Sequence, residues 1–204
     1  MKKLVRFVQL VVGLAIYGLG VGTMVDAKIG ISPWDVFAQG LATQLHMSFG
    51  WATALVSVLV LLMWIPLKQK PGIGTLLNAV SIGAFADLFM PYLPKFDGYG
   101  ENLAKFIVGM LLLAFATGMY ISSRFGPGPR DGLVVGTRKA LGWPLWLVRT
   151  IIEGSAMTLG WFMGGHVREG TLIFALCIGI LMQISMRAFK IPVTKAGKTV
   201  AGKR

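Results

Sequence analysis

The chain is 204 residues long, 55% apolar and only 14% charged, with a mean hydropathy of +0.70; soluble domains carry about a quarter charged residues, so the bilayer is the predicted environment. The net charge of +12 does not point to nucleic acid, because Lys and Arg gather at the edges of apolar runs and form neither a basic stripe nor an RNA- or DNA-binding motif. A single cysteine, Cys177, within an apolar run excludes an intrachain disulfide and a structural zinc site.

The opening MKKLVRFVQLVVGLAIYGLGVGTMVDA has the basic start, apolar middle and small residue at Ala27 of a secretory signal. Its apolar part runs from Phe7 to Val25, however, and signal cores span only about 7–15 residues. An uncleaved first span over 6–25 is therefore expected. Further windows long enough for the hydrocarbon core lie at 49–67, 73–92, 103–123, 144–163 and 170–189. Two segments, 33–46 after the first span and 129–141 after the fourth, are too short to cross and read as re-entrant or interfacial helices. From Lys190 the chain is basic and glycine-containing, which predicts a disordered, lipid-facing arm.

Cytoplasmic loops carry the excess of Lys and Arg. With the N-terminus inside, fifteen of the 20 basic residues fall on the cytoplasmic side and four, Lys28, Lys95, Lys105 and Arg168, on the other, with Arg149 inside a span. Both termini are predicted to be cytoplasmic.

GISPWDVFAQG (30–40) recurs as GPGPRDGLVVG (126–136), an offset of 96 that pairs Gly30 with Gly126, Pro33 with Pro129, Asp35 with Asp131 and Gly40 with Gly136. The same offset, without a gap, pairs Gly13 with Gly109, Gly22 with Gly118, Gly74 with Gly170, Thr75 with Thr171 and Gly83 with Gly179, and places Arg124 opposite Lys28. The chain reads as a tandem duplication. Each copy holds three spans, an odd number, so the second copy must insert upside down. The predicted fold is all-α and transmembrane: six spans in two inverted three-helix repeats, 1–96 and 97–192, each with a short helix after its first span, then a basic cytoplasmic tail at 193–204.

The glycine-rich first span followed by GISPWDVF, together with GPGPRDGLVVGTRKALGWPLWLVRTIIE, resembles the YczE/YitT-like family of bacterial integral membrane proteins over about residues 7–190. The resemblance implies a multi-span protein of the bacterial inner membrane and supplies no substrate.

Asp35 and Asp131 have two readings. In the first, Ser32 or Gly128 caps a short helix, proline takes its first position, and the aspartate faces the unpaired N–H groups and positive dipole end. In the second, both short helices dip into the membrane from opposite sides and aim their N-termini at a shared cavity, with Arg130 adding charge where the first copy has Trp34. The helix ends and Arg130 favour an anion, the aspartates a cation or proton pathway, so the sign of a solute stays open.

Glu153 lies about ten residues into the fifth span, four after Arg149, so the two share a helix face and can pair. A carboxylate at that depth is costly and marks a candidate site, with a purely structural ion pair as the alternative. Its counterparts are polar but uncharged: Thr53 for Arg149 and Ser57 for Glu153. Asp87, opposite Gln183 in the repeat and near Asn78, ranks below Glu153 because Met90 and Pro91 place it close to a span end. His46 and His166 sit near span ends and form no ligand cluster. The spacings Gly18-x-x-x-Gly22 and Gly160-x-x-x-Gly164 predict close helix packing.

These features predict a small-solute transporter or channel-like protein with a central site at the repeat interface. The alternative is a non-transporting membrane scaffold or accessory subunit whose polar pairs only hold helices together. No Ser/His, Cys/His or metal-spaced cluster is present of the kind catalysis needs, so the chain is not expected to be an enzyme. No cofactor, metal or nucleic-acid partner is expected; the partners foreseen are the lipid bilayer, an unidentified small solute and a second copy in a homodimer.

Overall fold

The computed structural model describes residues 3–189, apart from the side chains at 145 and 146, and every regular element among them is helical. The basic tail from Lys190 lies outside the described residues. The helices are α1 (Lys3–Ala27), α2 (Pro33–Leu45), α3 (Phe49–Trp64), α4 (Ile73–Phe89, prolonged by a 3-10 turn at Met90–Tyr92), α5 (Tyr99–Ser122), α6 (Pro129–Leu141), α7 (Leu145–Phe162) and α8 (Glu169–Ala188).

Starts and stops follow local chemistry. Pro33 and Pro129 open α2 and α6 where a missing N–H has no partner to lose. His46 and Gly142 end the same two helices in the left-handed conformation. Pro66 removes the N–H that a further turn of α3 needs.

α1, α4 with its 3-10 turn, α5 and α8 are long and apolar enough to cross a membrane. The predicted spans at 49–67 and 144–163 come out differently. α3 has 16 residues, a length of about 24 Å at the usual helical rise, against a hydrocarbon core of about 30 Å. α7 has 18, and Arg149 and Glu153 lower its hydropathy. α2 and α3 together pass as one apolar segment bent by 114°. The described residues thus hold four candidate spans, or five with that bent pair, where the sequence predicts six.

The four long helices supply most of one core, around Leu10, Leu14, Met24, Phe106, Leu113 and Tyr120. The four shorter ones build a second, around Trp34, Val56, Trp64, Leu133 and Ala156. α1 crosses α5 closely because Gly20 and Gly109 face each other, and a Cβ on either would meet the other's carbonyl oxygen at 2.8 Å. Gly18 and Gly22 let α4 approach α1, and Gly160 lets α7 approach α2, so both predicted glycine motifs serve packing, while Gly164 is a left-handed turn with φ 94°. α4 also leans on α3, α8 on α5 and α3 on α6, but α7 stands off α8. Outside, Val58, Leu62, Val80, Leu111, Leu172, Leu176 and Ile180 are exposed, an apolar exterior that lipid can cover.

The backbone repeats with the sequence. The residues with positive φ fall into four pairs 96 positions apart: Lys28 and Arg124, Gly30 and Gly126, His46 and Gly142, Lys68 and Gly164. The loops before α2 and α6 are held alike. Gly74 N donates to Phe125 O at 2.9 Å and Gly170 N to Ile29 O at 3.0 Å. Thr75 Oγ1 donates to Pro127 O at 2.7 Å, and Thr171 Oγ1 accepts from Ile31 N at 3.3 Å.

Candidate functional site

Ser32 caps α2 with φ −65° and ψ 155°. Its Oγ accepts from Asp35 N at 3.3 Å and donates to Asp35 Oδ2 at 2.6 Å. The Asp35 carboxylate, 2% exposed, therefore sits over its own helix N-terminus, and it also pairs with a cation from the other short helix: Arg130, in the first turn of α6, donates through a terminal guanidinium nitrogen to Asp35 Oδ1 at 3.0 Å. That guanidinium lies 5.7 Å from the centre of the Trp34 ring, within range of a cation–π contact. Asp131, in the first turn of α6, accepts from the Tyr120 hydroxyl at 3.3 Å. Tyr120 in turn stands edge-on to Tyr17.

Apart from Asp35, these residues border a central cavity of about 70 Å³ to which all eight helices contribute. With roughly 30 Å³ per water in the liquid, it has room for an ion or a few waters and lies far below the usual pocket volumes of about 300–1,000 Å³. Arg149 and Glu153 lie on its α7 wall, with Arg149 Nε donating to Glu153 Oε1 at 2.7 Å. On the α3 wall, Ser57 Oγ donates to Thr53 O, while the buried Thr53 Oγ1 has no hydrogen-bond partner among the described residues. A buried hydroxyl normally has a partner, and leaving one unpaired is costly.

The lining follows the sequence repeat. Fourteen of its residues form seven pairs at the offset of 96: Tyr17 and Leu113, Ser32 and Gly128, Trp34 and Arg130, Thr53 and Arg149, Ser57 and Glu153, Asn78 and Phe174, Ile82 and Ile178. Charge is uneven across these pairs. Arg130, Arg149 and Glu153 all belong to the second copy, opposite neutral Trp34, Thr53 and Ser57.

Five of the six residues singled out from sequence thus converge: Glu153, Arg149, Arg130 and Asp131 line the cavity, and Asp35 is bound to Arg130. Asp87 lies elsewhere. Its carboxylate accepts from Ser48 Oγ and from Gly50 N at 2.9 Å, which caps α3 and ties α4 to it. Asn78, nine residues earlier on α4, does reach the cavity, as do Tyr17 and Tyr120, which no motif or charge in the sequence singles out. The unpaired Thr53 could be found only as the counterpart of Arg149. No group of three or more His, Cys, Asp or Glu side chains able to hold a metal ion occurs among the described residues.

The cavity can hold a small polar species, since it offers hydroxyls, an amide and charged groups of both signs. His166 and His46 lie apart from it: His166 N donates to Gln39 Oε1 at 2.7 Å, and His46 ends α2.

A family model described as "Family of unknown function (DUF6198)" matches residues 4–187. An "Uncharacterized protein" of Haemophilus influenzae is 37% identical over 174 residues, 85% of this chain and 80% of the relative. The "Uncharacterized membrane protein YczE" of Bacillus subtilis is 33% identical over 176 residues, 85% of this chain and 82% of the relative. A further relative from Bacillus subtilis, "Uncharacterized protein YyaS", is 25% identical over 179 residues, 86% of this chain and 89% of the relative. No solved structure matches. With most of its length matched in this way, the chain belongs to the DUF6198 family of membrane proteins, among whose relatives is YczE.

Proposed function

We propose that the chain passes a small solute or ion across the bacterial inner membrane through the central cavity, as a transporter or channel-like protein. It does so as two inverted three-helix repeats, about 1–96 and 97–192, with α3 and α7 completing six spans and both termini in the cytoplasm. The carrying observation is the cavity lining, seven pairs of residues 96 positions apart around one polar space. An inverted repeat puts its functional site on the axis relating the two copies, near the midplane. The matched positive-φ pairs and the matched loop hydrogen bonds support the same reading. Spans as short as α3 and α7 fit if the bilayer thins locally or their flanks are covered by neighbouring helices. Flux of ammonium, potassium, chloride and protons into vesicles carrying the purified chain tests the proposal. Ion- or proton-driven uptake that Glu153→Gln abolishes supports it, and no flux above that of empty vesicles contradicts it.

The second reading is a non-transporting scaffold or accessory subunit. It is favoured by the closure of both charged pairs, Arg130–Asp35 and Arg149–Glu153, within the chain. A stable partner that co-purifies with a flux-inactive chain supports this reading.

A further inference from the structure

The two copies differ where α7 stands off α8. In the first copy α3 closes on α4 because Gly50 and Gly83 meet backbone to backbone, where a Cβ on either would clash. The corresponding positions are Trp146 and Gly179, so the glycine-to-glycine approach has no counterpart. A groove of about 590 Å³ is left between α7 and α8, walled by Met157, Leu172, Ala175 and Ile178; of the charged side chains on its border, Arg168 is engaged by the Lys28 carbonyl at 2.7 Å, which leaves the Arg149–Glu153 pair. It opens beside the exposed, lipid-facing Leu172.

Three features of the groove suit an occupant from outside the chain. Gly154 and Gly179 line it from helix interiors, and a Cβ at either would meet nothing within 4 Å. Glycine weakens a helix interior relative to alanine, and here no close packing within the chain offsets that. The groove also runs into the central cavity, for Pro33, Arg149, Glu153 and Ile178 border both. Finally, the Arg149–Glu153 pair uses only Nε and Oε1, so the terminal guanidinium nitrogens and Glu153 Oε2 have no partner among the described residues.

We propose that a zwitterionic membrane amphiphile, an aminophospholipid, occupies this groove. Its acyl chain lies between α7 and α8, where the wall is apolar and open to the hydrocarbon. Its phosphate meets the free guanidinium nitrogens of Arg149 and its ammonium group meets Glu153, so both signs of the head are matched. The inference goes beyond the transport reading, because a bound lipid requires no flux.

The test is native mass spectrometry of the full chain in mild detergent, with phosphatidylethanolamine or phosphatidylglycerol added at equal concentration. The expected result is one retained phosphatidylethanolamine per chain, preferred over phosphatidylglycerol by about tenfold, the effect of one charged contact. Gly154→Leu with Gly179→Leu should fill the groove and lose the lipid, whereas Val58→Leu, at the position matching Gly154 on α3, should keep it. Equal retention of the two lipids by the unaltered chain, which depends on no variant's folding, would overturn the proposal. So would retention by a folded groove-filled variant, or conversion of a dimer to monomers by the same change, which would make the groove a subunit interface. Lipid retained by a chain without flux would leave this inference standing and remove the transport reading.

Discussion

Arg130 on α6 holds Asp35 on α2 at 3.0 Å, and through this one ion pair the first turns of the two short helices are fastened together beside the central cavity. Asp35 is buried, and Ser32 and its own helix end share the load of its charge. Removing one partner of a buried pair leaves an uncompensated charge, at a cost of about 3–5 kcal/mol. Arg130→Gln should therefore destabilise strongly, and Asp35→Asn added to it should restore much of the loss. Thermal unfolding of the two single variants and the double variant in detergent measures that coupling.

Thr53 offers a separation of stability from function. Its buried Oγ1 has no partner among the described residues, and an isosteric apolar replacement removes the penalty of an unsatisfied hydroxyl, about 1–3 kcal/mol. Thr53→Val should raise the melting temperature. If the cavity handles a polar solute, the same substitution should lower flux, so a more stable and less active variant is the expected outcome. A variant that is less stable would show that Thr53 is already satisfied.

The loop contacts should respond in matched but unequal ways. Thr75 Oγ1 donates to Pro127 O at 2.7 Å and accepts from Gly72 N at 3.2 Å, whereas Thr171 Oγ1 accepts one longer bond from Ile31 N. Thr75→Val should cost about 1–3 kcal/mol, and Thr171→Val less. Unfolding of both in the same detergent checks the order.

Glycines at helix crossings and in the groove should behave oppositely. A Cβ at Gly20 would meet Gly109 O and Leu113 N at 2.8 Å, both backbone atoms that cannot yield without moving α5. Gly20→Ala should destabilise by about 1–3 kcal/mol through overpacking. Gly179→Ala, with nothing within 4 Å of the added methyl, should stabilise α8 in detergent by up to about 1 kcal/mol.

The helices were legible because their ends are set locally. Pro33, Pro129, Ser32 and Gly142 act within a turn of where they stand, and the helices lie within a few residues of the predicted windows. Length was harder to read at 49–67, since the apolar run continues past Trp64 while Pro66 ends the hydrogen bonding. Arg149, Glu153 and Arg130 stood out because charge in an apolar run is rare. Asp87 stood out for the same reason, but its role as the cap of α3 depends on Ser48 and Gly50 from another helix. The groove beside α7 was not legible at all, since it arises from two helices that fail to close, and only the substitution of Trp146 for Gly50 in the repeat hints at it.

Thiol labelling of Ser32→Cys and Gly128→Cys on a Cys177→Ala background shows whether one site lies on the axis between the two repeats. These are counterpart positions bordering the same cavity. With a membrane-impermeant reagent applied from each side of sealed vesicles, slow labelling is expected at both positions, slowed further by whichever ion the chain passes. Fast labelling of position 32 from one side only and of position 128 from the opposite side only would contradict it, since the two motifs would then be separate surface caps.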